Sequence, residues 1–357
     1  MGGGAQTWSG NALANPRYPV STLAMLQVGG IVAAAAAIDT EPIRLLQAAG
    51  RPLASGVLEG LEAVTDHYAR TCWSYQPDEL DRILTAQLAE VRALLEGQAT
   101  ASQKARLCRV AARLACMVAH ARWNLGRGGD ASLYYDAAFE LAEQAGDRTV
   151  MAEVFAEEAT IAYYERRDAD AVELAAAGRH AAGDAGAVLV KLTSHEARAA
   201  ARLGNRPAAA AAITTTRRVV DAGDLTVNDD VFSFTPAAAL HRIAAAELWL
   251  GNLAAAKAMA LAAAAACASV RDRAANAPHA NLTLAAVEIR LGNVDAAVGM
   301  ATEVLTSELT DARSVFMRGR DLLADLSAHA KEPMVASYRD LLHSVSRQAL
   351  PGIATTG

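Results

Sequence analysis

A Leu-Gly pair recurs along this chain at intervals suited to an array of helical hairpins. Three stretches share one text: Leu203-Gly204-Asn205, Leu250-Gly251-Asn252 and Leu291-Gly292-Asn293, each followed by an Ala-rich run. A fourth pair, Leu125-Gly126, precedes Asp130-Ala131, and a degenerate unit, Tyr163 to Asp168, lies between. Gly126 and Gly204 are 78 residues apart, two units of 39; Gly251 follows after 47 and Gly292 after 41. Such spacing marks stacked helical pairs, each too small to bury its apolar face alone. In each unit an apolar helix ends at a glycine, whose missing Cβ permits the reversal, and an Ala-rich helix packs back closely.

Composition agrees. Alanine forms runs such as Ala33 to Ala37 and Ala262 to Ala266, and aromatic residues make up only 5% of the 357 residues. That mixture favours helix and starves strands. The expectation is an all-α protein built as an α-solenoid. It has a flexible leader over 1–20, a helical preface over 21–99, repeats over 100–345 and a flexible tail over 346–357. Pro236 opens the helix that ends at Leu250. The loop from Gly223 to Thr235 upstream of it accounts for the long 47-residue interval.

A net charge of -6 leaves no bulk basic face for phosphate backbones, so no direct nucleic-acid binding is expected. The apolar stretch Thr22 to Ile38 is too short and too rich in Ala and Gly to span a bilayer comfortably, so no membrane role is expected. Cys72, Cys108, Cys116 and Cys267 lack paired spacing and read as reduced core residues, which fits the cytoplasm. Cys116 and His120 share a helical face, with Cys108 two turns earlier, but three donors do not make a zinc site, and no metal or cofactor is expected. No nucleophile elbow, zinc-protease, P-loop or dinucleotide motif is present, so a non-enzymatic protein is favoured.

The units resemble tetratricopeptide repeats in the Leu-Gly pair and in the small residue 12 positions after the glycine, Ala138 and Ala263. They depart three positions before the Leu, where Arg122, Ala200, Glu247 and Glu288 replace the usual aromatic or Leu. Over residues 20 to 345 the chain resembles the sensory half of actinobacterial helix-turn-helix regulators. The resemblance is carried by Leu26 to Gly30 with its Ala run, Glu62 to Tyr68, Leu84 to Leu95 and Val231 to Phe234. That family joins a DNA-binding head to an effector domain; the 20 residues before the resemblance are too short a stretch for its helices, so the expectation is an effector domain without such a head.

The resemblance implies that first helices line a concave groove. Counting five residues back from each turn Leu, or from Tyr163 in the degenerate unit, gives His120, Glu158, Arg198, Ala245 and Ala286 on that face. Trp123, Asn124, Glu157, Tyr164, His195, Arg202, His241, Arg242 and Trp249 surround them by helical spacing. The polar row reads either as an inter-repeat salt-bridge ladder or as a ligand contact, and Trp123 and Trp249 as core or as recognition residues. Adjacent carboxylates such as Glu157 and Glu158 diverge around a helix and make a poor catalytic pair. His279 and the other single histidines read as surface or satisfied core positions. The expected function is a regulatory module binding a peptide, small molecule or protein, as a homodimer or a mixed dimer with a DNA-binding relative. The alternative is a biosynthetic enzyme using the groove as its reaction chamber.

Overall fold

The computed structural model describes residues 53–183, 186–221, 230–267, 272–307 and 313–349. The leader, the Ala33 run, most of the Gly223–Thr235 loop and the last eight residues lie outside them. Fourteen α-helices make up the described structure, with no strand among the described residues.

The preface consists of α1 (Ser55–Thr71) and α2 (Pro77–Leu95), joined by a short 3-10 turn, Cys72–Ser74. Both pack on α3. Six hairpins follow. They are α3 (Ala101–Asn124) with α4 (Gly128–Ala145), α5 (Arg148–Tyr164) with α6 (Asp168–Ala182), and α7 (Ala187–Arg202) with α8 (Arg206–Asp221). Then come α9 (Pro236–Trp249) with α10 (Leu253–Ala265), α11 (Ala277–Arg290) with α12 (Val294–Thr306), and α13 (Arg313–Asp325) with α14 (Pro333–Ala349). Helix α14 thus continues past residue 346, where the tail was expected to begin.

Local chemistry sets the helix ends. Thr100 and Gln103 cap α3 reciprocally, and Thr235 caps α9 just ahead of Pro236. Gly126, Gly204, Gly251 and Gly292 all sit at positive φ, and in the second hairpin Arg166 takes the same conformation at φ 64°. At each of these turns the next amide reaches back five residues to a carbonyl, as from Asn205 to Ala200 and from Arg167 to Ala162, satisfying a terminal helix acceptor.

The third residue of the Leu-Gly-Asn text also has a purpose. Asn252 Nδ2 donates to Glu247 Oε2 at 2.7 Å, and Asn293 Nδ2 donates to Glu288 Oε2 at 2.6 Å. Glu247 and Glu288, three residues before each turn Leu, are therefore turn clamps. Ala138 and Ala263 are fully buried, so the second helices do approach closely.

The first helices stack in order from α3 to α13, and α13 in turn contacts α3 and α5. The chain thereby closes around its axis. Asn124 Oδ1 accepts from the Arg313 amide at 3.1 Å, and Arg166 reaches Asp321 at 2.7 Å. The described end of the long loop is part of the core. The Val231 amide donates to the Ala69 carbonyl, Phe232 lies under the Arg113 guanidinium, and Phe234 packs with Val190 and Ala238. Among the described residues no helix is long and apolar enough to cross a membrane.

Candidate functional site

Where the first helices converge they leave a cavity of about 240 Å³. Its walls are His120, Ala121, Trp123 and Asn124 of α3, Glu157, Thr160 and Tyr164 of α5, and Lys191 of α7. His241 and Arg242 of α9, His279 of α11 and Ser314 of α13 complete them. The turn Cys72–Ser74 with Tyr75 to Pro77 covers one side, and Ala274 to Asn276, ahead of α11, another. A chamber assembled from six hairpins and the preface exists only because the array closes.

One flank holds a buried ion pair. Lys191 Nζ bonds the Glu157 carboxylate and also donates to the Val231 carbonyl at 2.8 Å, both side chains being at most 4% exposed. Burial raises the Glu157 carboxyl, but Lys191, His120 and Arg242 outweigh it, and the group ends below its ordinary range. His120 Nδ1 stands 3.6 Å from Glu157, and burial pulls its imidazole down despite that carboxylate.

The other flank is a column of rings. Trp123, Tyr164, His279 and His241 follow one another, Tyr164 stacked on His279 with centroids 5.2 Å apart and His279 on His241 at 5.5 Å. His279 Nε2 faces the Tyr164 hydroxyl at 3.1 Å and Ser314 Oγ at 3.2 Å. Burial, followed by Arg318, Arg198 and Arg242, holds the His279 imidazole far below the usual range; His241 and His195 are similarly depressed, burial again leading. Burial thus favours the neutral form of all three rings.

The sequence-derived residues divide accordingly. His120, Trp123, Asn124, Tyr164 and His241 line the chamber, as do Glu157 and Arg242. His195 and Arg198 lie behind the wall: His195 Nε2 meets Thr160 Oγ1 at 2.9 Å, and Arg198 bonds His195 Nδ1 at 2.7 Å while covering the Tyr163 ring at 3.8 Å. Arg202 pairs with Asp168 at the base of the preceding hairpin, and Trp249 Nε1 points to the Tyr163 hydroxyl at 3.4 Å, so both hold units together away from the chamber. Glu158 is misplaced by the sequence reading. Its charged neighbours are Asp136, Arg167 and Asp170, on or beside the second helices, while Glu157 faces inward.

The expected ladder of His120, Glu158 and Arg198 does not form; the ionic row that does form is His120, Glu157 and Lys191. Thr160, Lys191, His279, Ser314 and the covering residues Trp73 and Tyr75 are chamber residues that the sequence reading did not assign. All four cysteines are free thiols, and among the described residues no cluster of His, Cys, Asp or Glu is placed to hold a metal. Compared with known proteins, the chain matches no family model, and no curated protein matches it.

Proposed function

We propose that this chain is a regulatory effector-binding module whose helical array wraps a small molecule. The observation that carries this reading is the chamber itself, polar on one flank and ring-lined on the other, at a place where all six described hairpins meet. At about 240 Å³ it has room for a molecule of on the order of ten heavy atoms. A peptide or partner helix needs an open groove, which closure removes, so the small molecule is favoured over the peptide and protein ligands the sequence left open. Since the walls come from separate hairpins, occupancy changes how they pack. That change is the signal passed to a partner, either a second copy or a DNA-binding relative of the kind the sequence resemblance implies.

Native mass spectrometry of the chain purified from its source cell tests the reading. The expected result is a small molecule that leaves on denaturation and is lost in Ala275→Trp, which fills the chamber from its covered side. An unliganded protein whose regulatory output is indifferent to Ala275→Trp refutes it. The enzyme reading has its own observation, the Tyr164–His279–Ser314 hydrogen-bonded chain in the same chamber as the buried Glu157 carboxylate. Conversion of the captured molecule by the purified protein, abolished by His279→Phe, would replace binding by catalysis.

A further inference from the structure

The first helices line the chamber, so the second helices form the outside of the array, and α10 differs from the others there. Three, seven, ten and fourteen residues after its turn glycine come Ala254, Ala258, Leu261 and Ala265, all exposed, Leu261 by 53%. They make one apolar stripe along the helix. Lys257, the only charged residue of α10, turns aside to Glu288 at 2.6 Å. Elsewhere the outside is charged. Leu133 of α4, 68% exposed, shares its helix with exposed Asp130, Asp136 and Glu140, and α6 shows Asp170 and Glu173.

The second helices on either side of α10 carry opposite charge. Helix α8 exposes Arg206, Arg217 and Arg218 against Asp221 at its end, whereas α12 exposes Asp295 and Glu303 and has no basic residue. Arg217 is 3.8 Å from Glu247 and Arg206 donates to the Leu250 carbonyl, while Arg218, Asp295 and Glu303 enter no ion pair among the described residues. The heights match as well. Arg206 and Asp295 lie two and three residues past their turn glycines, and Arg217, Arg218 and Glu303 thirteen, fourteen and eleven past theirs. At about 1.5 Å of rise per residue those offsets are about 2–5 Å, within the reach of an arginine side chain. Exposed Ala210, Ala211, Ala296 and Gly299 keep the surface of both margins low.

A surface so arranged complements itself. A twofold axis along α10 keeps the direction of each helix and exchanges its two sides, so α8 of one copy comes opposite α12 of the other. An axis across α10 would set α8 on α8, like charge on like. We infer that two copies of this chain dock through this face, α10 parallel to α10, with Leu261 against its counterpart and the α8 arginines against the α12 carboxylates. Alanine on both stripes lets the helix axes come close. The margins add the area that one helix lacks, since a specific interface buries about 1,200 Å² or more. The stretch Thr22 to Ile38, a rival cover for the stripe, carries no charge and answers neither margin. The dimer goes beyond the small-molecule reading and holds whether or not the chamber is filled. It also adjoins the chamber, because α10 packs on α9 and α11, which bring His241, Arg242 and His279 into the wall.

Analytical ultracentrifugation of the full chain tests the inference. A reversible monomer–dimer equilibrium is expected, and Leu261→Glu, at an exposed position, should weaken it by about tenfold or more while helical content and melting temperature hold. Arg218→Glu and Glu303→Arg, made separately, should each weaken the dimer by roughly fivefold, because each sets like charges across both margins. Mixed in equal amounts, the two variants should pair nearly as well as the unaltered chain, since in the mixed dimer both margins again join opposite charges. Recovery on mixing reports a contact between copies that no change within one chain reproduces. A chain that is monomeric throughout overturns the inference, as does a dimer indifferent to Leu261→Glu or a mixture no better than its parts. A dimer tightened by Arg218→Glu places α8 on α8 and overturns it too. So does a monomer destabilised by Leu261→Glu, which has a segment of its own chain over the stripe.

Discussion

Lys191→Met should reverse the pH dependence that Glu157 contributes to stability. In the native chain Lys191 is the largest influence opposing burial at Glu157, and the carboxyl sits below its ordinary value of 4.5. A carboxyl depressed on folding adds stability above its unfolded pKa, and this is lost as pH falls through the folded value. Without Lys191 burial dominates, only His120 and Arg242 oppose it, and the carboxyl rises above its ordinary range. Its ionised form then destabilises the fold at neutral pH, and acid relieves the cost. Both side chains are at most 4% exposed, so solvent screening gives little relief. Removing one member of such a pair costs about 3–5 kcal/mol. The lower end applies here because His120 and Arg242 stay. Urea unfolding of the two proteins at pH 7.5 and pH 5.5 gives the measurement. The gap should be near 3 kcal/mol at the higher pH and narrower at the lower, and Lys191→Met/Glu157→Leu should recover most of it. A gap below about 1 kcal/mol at pH 7.5, or one that widens in acid, would refute the reasoning.

Three further outcomes are expected. A Cβ on Gly178 would lie 2.5 Å from Leu192 Cδ2 and 2.9 Å from Phe155 Cβ, whereas one on Gly299 meets nothing within 4 Å; denaturation midpoints should therefore show Gly178→Ala destabilising by about 1–3 kcal/mol and Gly299→Ala stabilising by about 0.5–1. Burial raises Glu153 to about 7 in spite of Arg113, so its contribution falls as pH rises from 4.5 to that value, by at most about 3 kcal/mol; Glu153→Gln should flatten the stability profile in that window, and an unchanged slope would count against the assignment. Asn293→Ala removes the clamp on Glu288 and should cost about 1 kcal/mol in urea unfolding, while Asn205→Ala, where Ala200 replaces the glutamate, should lose only its cap to the Ala208 amide and cost less.

The hairpins were legible because their turns need a conformation that glycine alone adopts without strain, so a Leu-Gly pair in the sequence is a backbone statement. The inward face was harder to read. The second hairpin turns at Arg166, not at a glycine, and only its φ of 64° reveals the correspondence with Gly126 and Gly204. Anchoring the count on Tyr163 shifted that unit and selected Glu158. Counted six back from the positive-φ residue instead, the row is His120, Thr160, Arg198, Ala245 and Ala286, and Thr160 does face the chamber. One row nearer the helix starts, Arg113, Glu153, Lys191 and His279 align in the same way, so a correct register carries a signal for Lys191 and His279. Trp73 and Tyr75 had none, because their place over the chamber depends on how the preface docks on α3. That is a long-range packing outcome with no local pattern.

Closure also changes how the array must come apart. In an open solenoid each unit leans only on its neighbours, and stability grows roughly by addition as units are added. Here Tyr164 of the second hairpin stacks on His279 of the fifth, and Arg166 of the second grips Asp321 of the sixth. Those ties skip over the intervening units, so fraying from the C-terminal end loosens the second hairpin as well. Truncating this protein hairpin by hairpin should give an abrupt loss of folding and not a graded series, as befits a ring whose last stave holds the others in place.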